Sequence, residues 1–469
     1  SLEKDLLWTG SDDGLVNISR DGGKNWTNVT PKDAPKWMMW NAFETDPFKK
    51  GAAYITGTRY KLDDYTPYIY KTEDYGQTWK LITAGIDPMH FTRVMRADHK
   101  RAGMLYAGTE FGMYVSYDDG ASWQTFQLNL PVVPITDLTI KNNDLIVATQ
   151  GRALWIIDDL TQVQQMDPSV KSKPLHVFSV NPVLRMPPVF SRWGAMAGTP
   201  ANAAMNPLKG AVINFTANTI TDSSAGSVAI YDGKKQLISR FSTSDKSTPI
   251  KLSKGNNQFV WDMQYPAAER IEDLILWTGV PGATTAIPGN YTAVVRVDKD
   301  SVEVPFSILA DPNYHCSQAD YEAQHEFLVK VKGKFSETMK GIKDIRQARN
   351  QMNDFISKQG DACPKELKKL ADSLSKSLTA VEEKLHQTKA KSGQDVLNFP
   401  IRLDDKLGGV YDMASSGNMA PSKQSKDVFA VLAAEVDVEL AKLKSILDGG
   451  LKAFNKMVRE KELPVVVIK

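Results

Sequence analysis

Up to Leu160, short apolar segments recur in pairs, each pair followed by a turn rich in Asp and Gly. Leu7-Trp8-Thr9-Gly10 leads to Leu15-Val16-Asn17-Ile18, Ala53-Tyr54-Ile55-Thr56-Gly57 to Tyr68-Ile69-Tyr70, and Leu105-Tyr106-Ala107-Gly108 to Met113-Tyr114-Val115. A fourth pair, Leu145–Thr149 and Ala153–Ile157, ends in Asp158-Asp159-Leu160. Segments this short, punctuated by turn residues, predict antiparallel hairpins. From Leu175 the pattern alternates with a period of two, at His176–Val180, Ala211–Thr216, Val228–Asp232, Gln258–Met263 and Tyr291–Val297, which predicts an antiparallel sandwich. Ser191–Pro207 and Leu276–Pro288 read as long loops between these strands.

Past Pro312 the period becomes helical. Tyr321, Leu328, Val331, Phe335, Met339, Ile342, Ile345 and Met352 form one stripe, opened by Ser317 with Asp320 three residues on, a capping pattern. A second stripe runs from Leu367 to Leu385 behind Pro364, placed as a first-turn proline, and a third from Val428 to Val458. Together they predict an antiparallel bundle with a loop-rich crossing at Phe399–Ser425.

The turns after the first three hairpins share one template: hydroxyl, any, Asp, any, Gly, any, small polar, Trp. Its copies are Ser19–Trp26, Thr72–Trp79 and Ser116–Trp123, with Asp21, Asp74 and Asp118 in register, then Gly23, Gly76 and Gly120, then Trp26, Trp79 and Trp123. The Asp accepts backbone N–H groups of a tight turn, the Gly takes φ > 0, and the Trp anchors the hairpin. These positions are therefore expected to be structural. The Asp spacings of 53 and 44 residues match a propeller blade, with most of the excess in an insertion at Arg59–Pro67.

The template resembles the Asp-box of BNR, sialidase and sortilin-type β-propellers. With Leu105–Glu110, Tyr114–Gly120, Gly151–Leu160 and Phe259–Pro266, the chain is similar to the C-terminal part of the large bacterial BNR-repeat proteins labelled glycosyl hydrolases. The resemblance implies a mainly β plus α chain: a partial β-propeller of about four blade units over 1–165, an immunoglobulin-like β-sandwich over 175–312 and a helical bundle over 316–469. It also implies an extracytoplasmic location, periplasmic, cell-surface or secreted. Four units are too few to close a ring, and the first starts on its second strand. Missing N-terminal blades or other protein chains are the expected partners, completing the propeller and covering its open edges.

Composition narrows the function. Lys and Arg number 57 against 55 Asp and Glu, a net charge of +2, so bulk electrostatics calls for no nucleic-acid partner. No apolar run is long enough for a transmembrane segment, and Ser1–Asp5 is not a signal peptide. No metal-ligand spacing or glycine-rich phosphate loop is present, so no metal and no cofactor is expected. Cys316 and Cys363 flank the first long stripe. A helix of that length separates its ends by about 60 Å at 1.5 Å per residue, which predicts two free thiols.

Functional residues are expected on the loops of the face opposite the Asp-boxes. Those loops carry Trp37, Trp40, Tyr60, Tyr65 and His90 as ligand-binding candidates, and Glu110, Arg59, Arg93 and Arg152 as candidates for catalysis. Aromatic faces stack on sugar rings, and arginines pair with carboxylates. A sialidase needs three convergent arginines and a Tyr nucleophile, and other glycosidases need a carboxylate pair; no spacing here demands either. The leading expectation is an exported interaction or scaffold protein binding protein or glycan partners. A glycoside hydrolase and a sortilin-like peptide receptor are the alternatives.

Overall fold

The computed structural model describes residues 2–186, 207–246 and 249–465. The loop expected at Ser191–Pro207 lies, but for Pro207, outside the described residues. The chain divides into two compact units, Ser1–Ser172 and Lys173–Lys469. Among the described residues no helix is long and apolar enough to cross a membrane.

In the first unit β1 (Leu7–Gly10), β2 (Val16–Ser19) and β3 (Thr27–Asn28) form one sheet, and β4 (Met39–Thr45), β5 (Ala53–Arg59), β6 (Asp64–Thr72) and β7 (Lys80–Leu81) a second. A third consists of β8 (Thr92–Ala97), β9 (Leu105–Thr109), β10 (Gly112–Ser116) and β11 (Gln124–Thr125), and a fourth of β12 (Ile135–Lys141), β13 (Asp144–Thr149) and β14 (Leu154–Ile157). All are antiparallel meanders in chain order. Short helices α1 (Thr161–Gln165) and α2 (Pro168–Ser172) follow.

Successive sheets stack through their apolar faces. Val16 meets Trp40, Ile55 and Tyr70; Tyr54, Ile69 and Ile82 meet Met95, Leu105 and Trp123; Tyr106 and Val115 meet Leu138 and Val147. The three repeated turns reinforce this stacking. In each, the first hydroxyl accepts from the Gly N–H (Gly23, Gly76, Gly120; 2.8–2.9 Å) and donates to the Asp carboxylate. That carboxylate in turn accepts the N–H of Asn25, Thr78 or Ser122. The glycines take φ of 91°, 82° and 81°, conformations a Cβ disfavours.

The tryptophans tie one sheet to the one before it. Trp79 Nε1 donates to Val29 O and Trp123 Nε1 to Ile82 O, both at 2.7 Å, and each acceptor lies three residues past the preceding Trp of the series. Trp26 instead bonds Gly23 O of its own turn and is 43% exposed.

The insertion expected as a loop at Arg59–Pro67 is instead mostly strand. β5 runs out to Arg59, Tyr60–Leu62 makes one 3₁₀ turn, Asp63 takes φ 58°, and β6 returns from Asp64. The Arg59–Asp64 ion pair (2.7 Å) joins residues that already face each other in the register, so the hairpin closes on its own side chains.

In the second unit β15 (Leu175–Val177), β16 (Val183–Arg185), β17 (Ala211–Ala217), β18 (Gly226–Tyr231), β19 (Leu237–Ser242), β20 (Gly255–Trp261), β21 (Gly289–Val297) and β22 (Asp300–Ala310) make two sheets, ordered β15-β17-β20 and β16-β22-β21-β18-β19. Both contribute to one core, with Ile213, Phe215 and Trp261 from the first and Val228, Ile230, Val295 and Phe306 from the second. The purely antiparallel expectation fails at one place, where β16 runs parallel to β22.

The helices are α3 (Gln318–Gln359), α4 (Lys365–Leu385), α5 (Leu403–Ser415), α6 (Lys423–Ser445) and α7 (Lys452–Glu460), and most positions of the expected stripes form their core, whereas Val428, the start of the third, is exposed. Ser317 and Asp320 close the α3 capping box, while Pro364 sits at the N-cap of α4, one place before the expected first turn. Cys316 and Cys363, at opposite ends of α3, are both free. Gly341 lets Leu440 of α6 approach α3: a Cβ there would lie 2.6 Å from it.

The crossing expected as loop at Phe399–Ser425 holds α5. Two adjacent glycines and two acids hid it, and long-range partners account for all four: hydrogen bonds for the acids, and close approach of Gly279 and Thr278 for the glycines. Asp405 accepts from the N–H groups of Trp277 and Thr278 and from Thr278 Oγ1, Asp404 pairs with His386 at 2.7 Å, and Gly408 meets the Gly279 carbonyl. The third stripe is interrupted by a π-helical turn, Ile446–Leu451, where Gly450 faces Leu374 with no room for a Cβ.

Candidate functional site

The β5–β6 hairpin, the segment before β4 and the ends of β8 and β9 bring most of the anticipated residues to one face of the first unit. Phe91, buried just ahead of β8, is their hub. The Tyr60 ring stacks on it (5.1 Å, 12° between planes), Tyr65 leans on it at 6.1 Å, and the Arg93 guanidinium lies 5.3 Å from its centre. The same guanidinium sits 5.7 Å over Tyr60, and Arg93 Nε binds Glu110 Oε2 at 2.6 Å. His90 packs on Phe111 at 4.8 Å, and its Nδ1 is 2.8 Å from the Tyr114 hydroxyl.

Beside this cluster a cavity of about 330 Å³ is lined by Asp12, Trp37, Met39, Thr58, Arg59, Tyr60, Lys61 and Leu62. Trp37 stands at it 65% exposed with φ 62°, in the left-handed region, where a bulky residue is strained by about 1–3 kcal/mol. Both arginines of the face are neutralised, Arg93 by Glu110 and Arg59 by Asp64. Burial works to raise the Asp64 pKa, but hydrogen bonds from Thr66, Tyr68 and Arg59 outweigh it and hold the carboxyl below the usual range.

Two anticipated residues are elsewhere. Trp40 is core: its ring lies 5.8 Å from Tyr70 and its Nε1 donates to Gly14 O at 2.9 Å, because the β-bulge at Trp40/Ala42 fixes which way this strand turns its side chains. Arg152 is exposed, and its Nη1 donates to the Gly151 carbonyl beside it. Reasoning from sequence did not place Phe91 at the centre of this face or pair Asp64 with Arg59. Phe91 reads as an ordinary core residue, and the pairing of Asp64 with Arg59 required knowing that the insertion forms strand.

In this unit the carboxyls raised by burial are Glu44, where Arg96 works the other way, and Asp158, with Asp144 nearby; neither lines the cavity. The template aspartates are lowered instead. Bonds from Asn25 and Ser19 bring Asp21 down to about 2. Burial opposes the shift at Asp74 and Asp118, but bonds from Thr78 and Ser122 prevail.

Residues 14–153 match the family model described as Sortilin, neurotensin receptor 3. No match is found among curated proteins. Among solved structures the chain is similar to YCF48 from Cyanidioschyzon merolae, at 17% identity and TM-score 0.27, over 33% of this chain and 49% of that one. It is also similar to a GH74 xyloglucanase from Xanthomonas campestris, at 13% and 0.28 over 66% and 53%, and to the GH74 enzyme of Niastella koreensis, at 13% and 0.27 over 45% and 26%. The chain thus spans about half or less of the length of each of these structures. Together with the stacked meanders of the first unit, the match over 14–153 gives that part of the chain a propeller-type fold similar to sortilin.

Proposed function

We propose that this chain is a non-catalytic, extracytoplasmic binding protein of the Asp-box type that holds neutral glycan on the aromatic face of its propeller-type unit. The observation that carries this reading is Trp37, strained and largely exposed at the mouth of a cavity near the small end of the ligand-pocket range, about 300–1,000 Å³. An indole held there, with Tyr60 beside it, offers apolar platforms for a sugar ring. The arginines of the face are paired, and Asp12 and Lys61 on the cavity lining balance each other in charge, which favours a neutral ligand over an acidic one. A hydrolytic role is disfavoured because Glu110 is held in an ion pair with Arg93, and because the Asp64 carboxyl is lowered where a general acid needs a raised one.

Protein partners belong to the same reading. Exposed Trp26 lacks the cross-sheet acceptor that Trp79 and Trp123 have, and Leu154 and Ile156 of β14 are exposed on the last sheet. Further blades or other chains stacked on these sheets would bury such groups. The second unit, read as an immunoglobulin-like sandwich with a helical bundle, adds scaffold surface. A peptide ligand on the same face is the second reading, favoured by the sortilin match over 14–153.

The test is a titration of the full chain with cello-, xylo- and manno-oligosaccharides, followed by tryptophan fluorescence. A saturable change that disappears in Trp37→Ala is expected. No response to any of the three series, or one that Trp37→Ala leaves intact, overturns the assignment.

A further inference from the structure

In the second unit Arg185 ends the edge strand β16, and it is only 5% exposed. Its Nη2 donates to Gln324 Oε1 at 3.1 Å, and its guanidinium carbon lies 4.8 Å from the centre of the Tyr321 ring. Nη1 has no hydrogen-bond partner, and among the described residues no carboxylate forms an ion pair with this guanidinium. Asp311, one residue past the strand partner Ala310, is buried, and its Oδ1 accepts from the backbone and side-chain N–H groups of Asn313 instead. The stretches 187–206 and 247–248 contain no Asp or Glu.

Three more polar atoms are buried without partners in the same neighbourhood: Tyr321 Oη, His325 Nδ1 and Nδ2 of Asn418, which adjoins the Gly417 carbonyl held by Gln324. His325, the next residue of α3, stays neutral because burial pushes its pKa down and Arg185 and Lys332 add to the shift. A buried guanidinium facing one neutral carbonyl and a ring is poorly compensated for its lost hydration. Gln324, Tyr321, Asn418 and His325 are uncharged and buried Asp311 is turned to Asn313, so a singly charged anion fits the guanidinium better than a dianion.

We propose that Arg185, with Tyr321 and Asn418, forms an internal site for a small monocarboxylate, whose oxygens accept from Arg185 Nη1 and the neighbouring neutral donors. A planar carboxylate suits the fork of a guanidinium. The site shares no residue with the aromatic face, so either assignment can fail alone.

The experiment is thermal unfolding of the full chain with sodium formate replacing chloride at constant ionic strength. The expected result is a Tm that rises saturably by several degrees in formate, less in sulfate or phosphate, and not at all in Arg185→Gln. If Arg185→Gln does not fold, line broadening of ¹³C-formate by the native chain, reversed by acetate and not by chloride, reads the same occupancy. Equal Tm values in formate and chloride without broadening overturn the proposal, as does a formate response that survives in Arg185→Gln. The half-buried Cys316 lies within electrostatic reach of Arg185, so Cys316→Ser is the control. It should respond as the native chain does; a response found only in that variant would make the thiolate the counter-ion and overturn the site.

Discussion

Replacing Trp123 by Phe tests the cross-sheet tie directly. The indole is 5% exposed, packs between the second and third sheets, and its Nε1 donates to Ile82 O at 2.7 Å. Phe keeps most of the apolar contact but leaves that carbonyl without its donor, a loss of about 1–3 kcal/mol. The smaller ring adds about 1 kcal/mol for space left unfilled. Trp26→Phe is the internal control, because its N–H bonds only Gly23 of its own turn and its ring is exposed; a surface change of this kind stays within about 0.5 kcal/mol. Urea unfolding followed by near-UV circular dichroism reads the difference. With a slope of about 2 kcal/mol per molar, the midpoint of the first unit should fall by about 1–2 M in Trp123→Phe and hardly move in Trp26→Phe. Equal losses in the two variants, or none in Trp123→Phe, would refute the idea that these tryptophans bind sheet to sheet.

Asp74→Ala should lower the stability of the first unit by about 1–2 kcal/mol, since Thr78 and Thr72 lose their acceptor, while oligosaccharide binding is unchanged; melts and titrations on one preparation check both. Acid should weaken the same turns. Because Asp21, Asp74 and Asp118 have folded pKa values below the ordinary 3.8, their contribution is complete above that value and is lost as the pH falls toward about 2, where Asp21 takes up its proton; near-UV circular dichroism against pH follows it. Thiol titration should find two free groups in the denatured, unreduced chain. In the native chain half-buried Cys316 should react first, since Cys363 is buried and burial raises its pKa.

Much of this architecture is legible in the sequence wherever the signal is local. The three octapeptides carry hydroxyl, Asp, Gly and Trp at positions whose bonds all close within a turn or to the adjacent sheet. The start of α3 could be read from Ser317 and Asp320 because a capping box is complete within four residues. What stayed hidden depends on distant partners. Helix α5 carries Gly408, Gly409, Asp404 and Asp405, which look like loop until Thr278, Gly279 and His386 supply their contacts. Strand β22 alternates Val302, Val304, Phe306 and Ile308, but Pro305 interrupts the pattern, and its parallel neighbour β16 leaves no local mark at all.

The candidate site divides along the same line. Trp37, Tyr60, Tyr65, His90, Arg93 and Glu110 belong to loops and strand ends whose side of the sheet follows from the position of the repeated turns, so their residue types could be read as one face. Trp40 shares that stretch of sequence, yet the bulge in β4 turns it to the core. That Arg59 and Arg93 are neutralised by Asp64 and Glu110 was not legible, and this charge balance favours the binding reading over its hydrolase alternative.

The most direct measurement is isothermal titration calorimetry of the full chain with the neutral oligosaccharide that gives the strongest fluorescence response, with Trp37→Ala run in parallel. Binding without turnover predicts heats that saturate, return to baseline after every injection and vanish in the variant. A heat flow that persists after each injection until the oligosaccharide is consumed would identify a hydrolase and contradict the account.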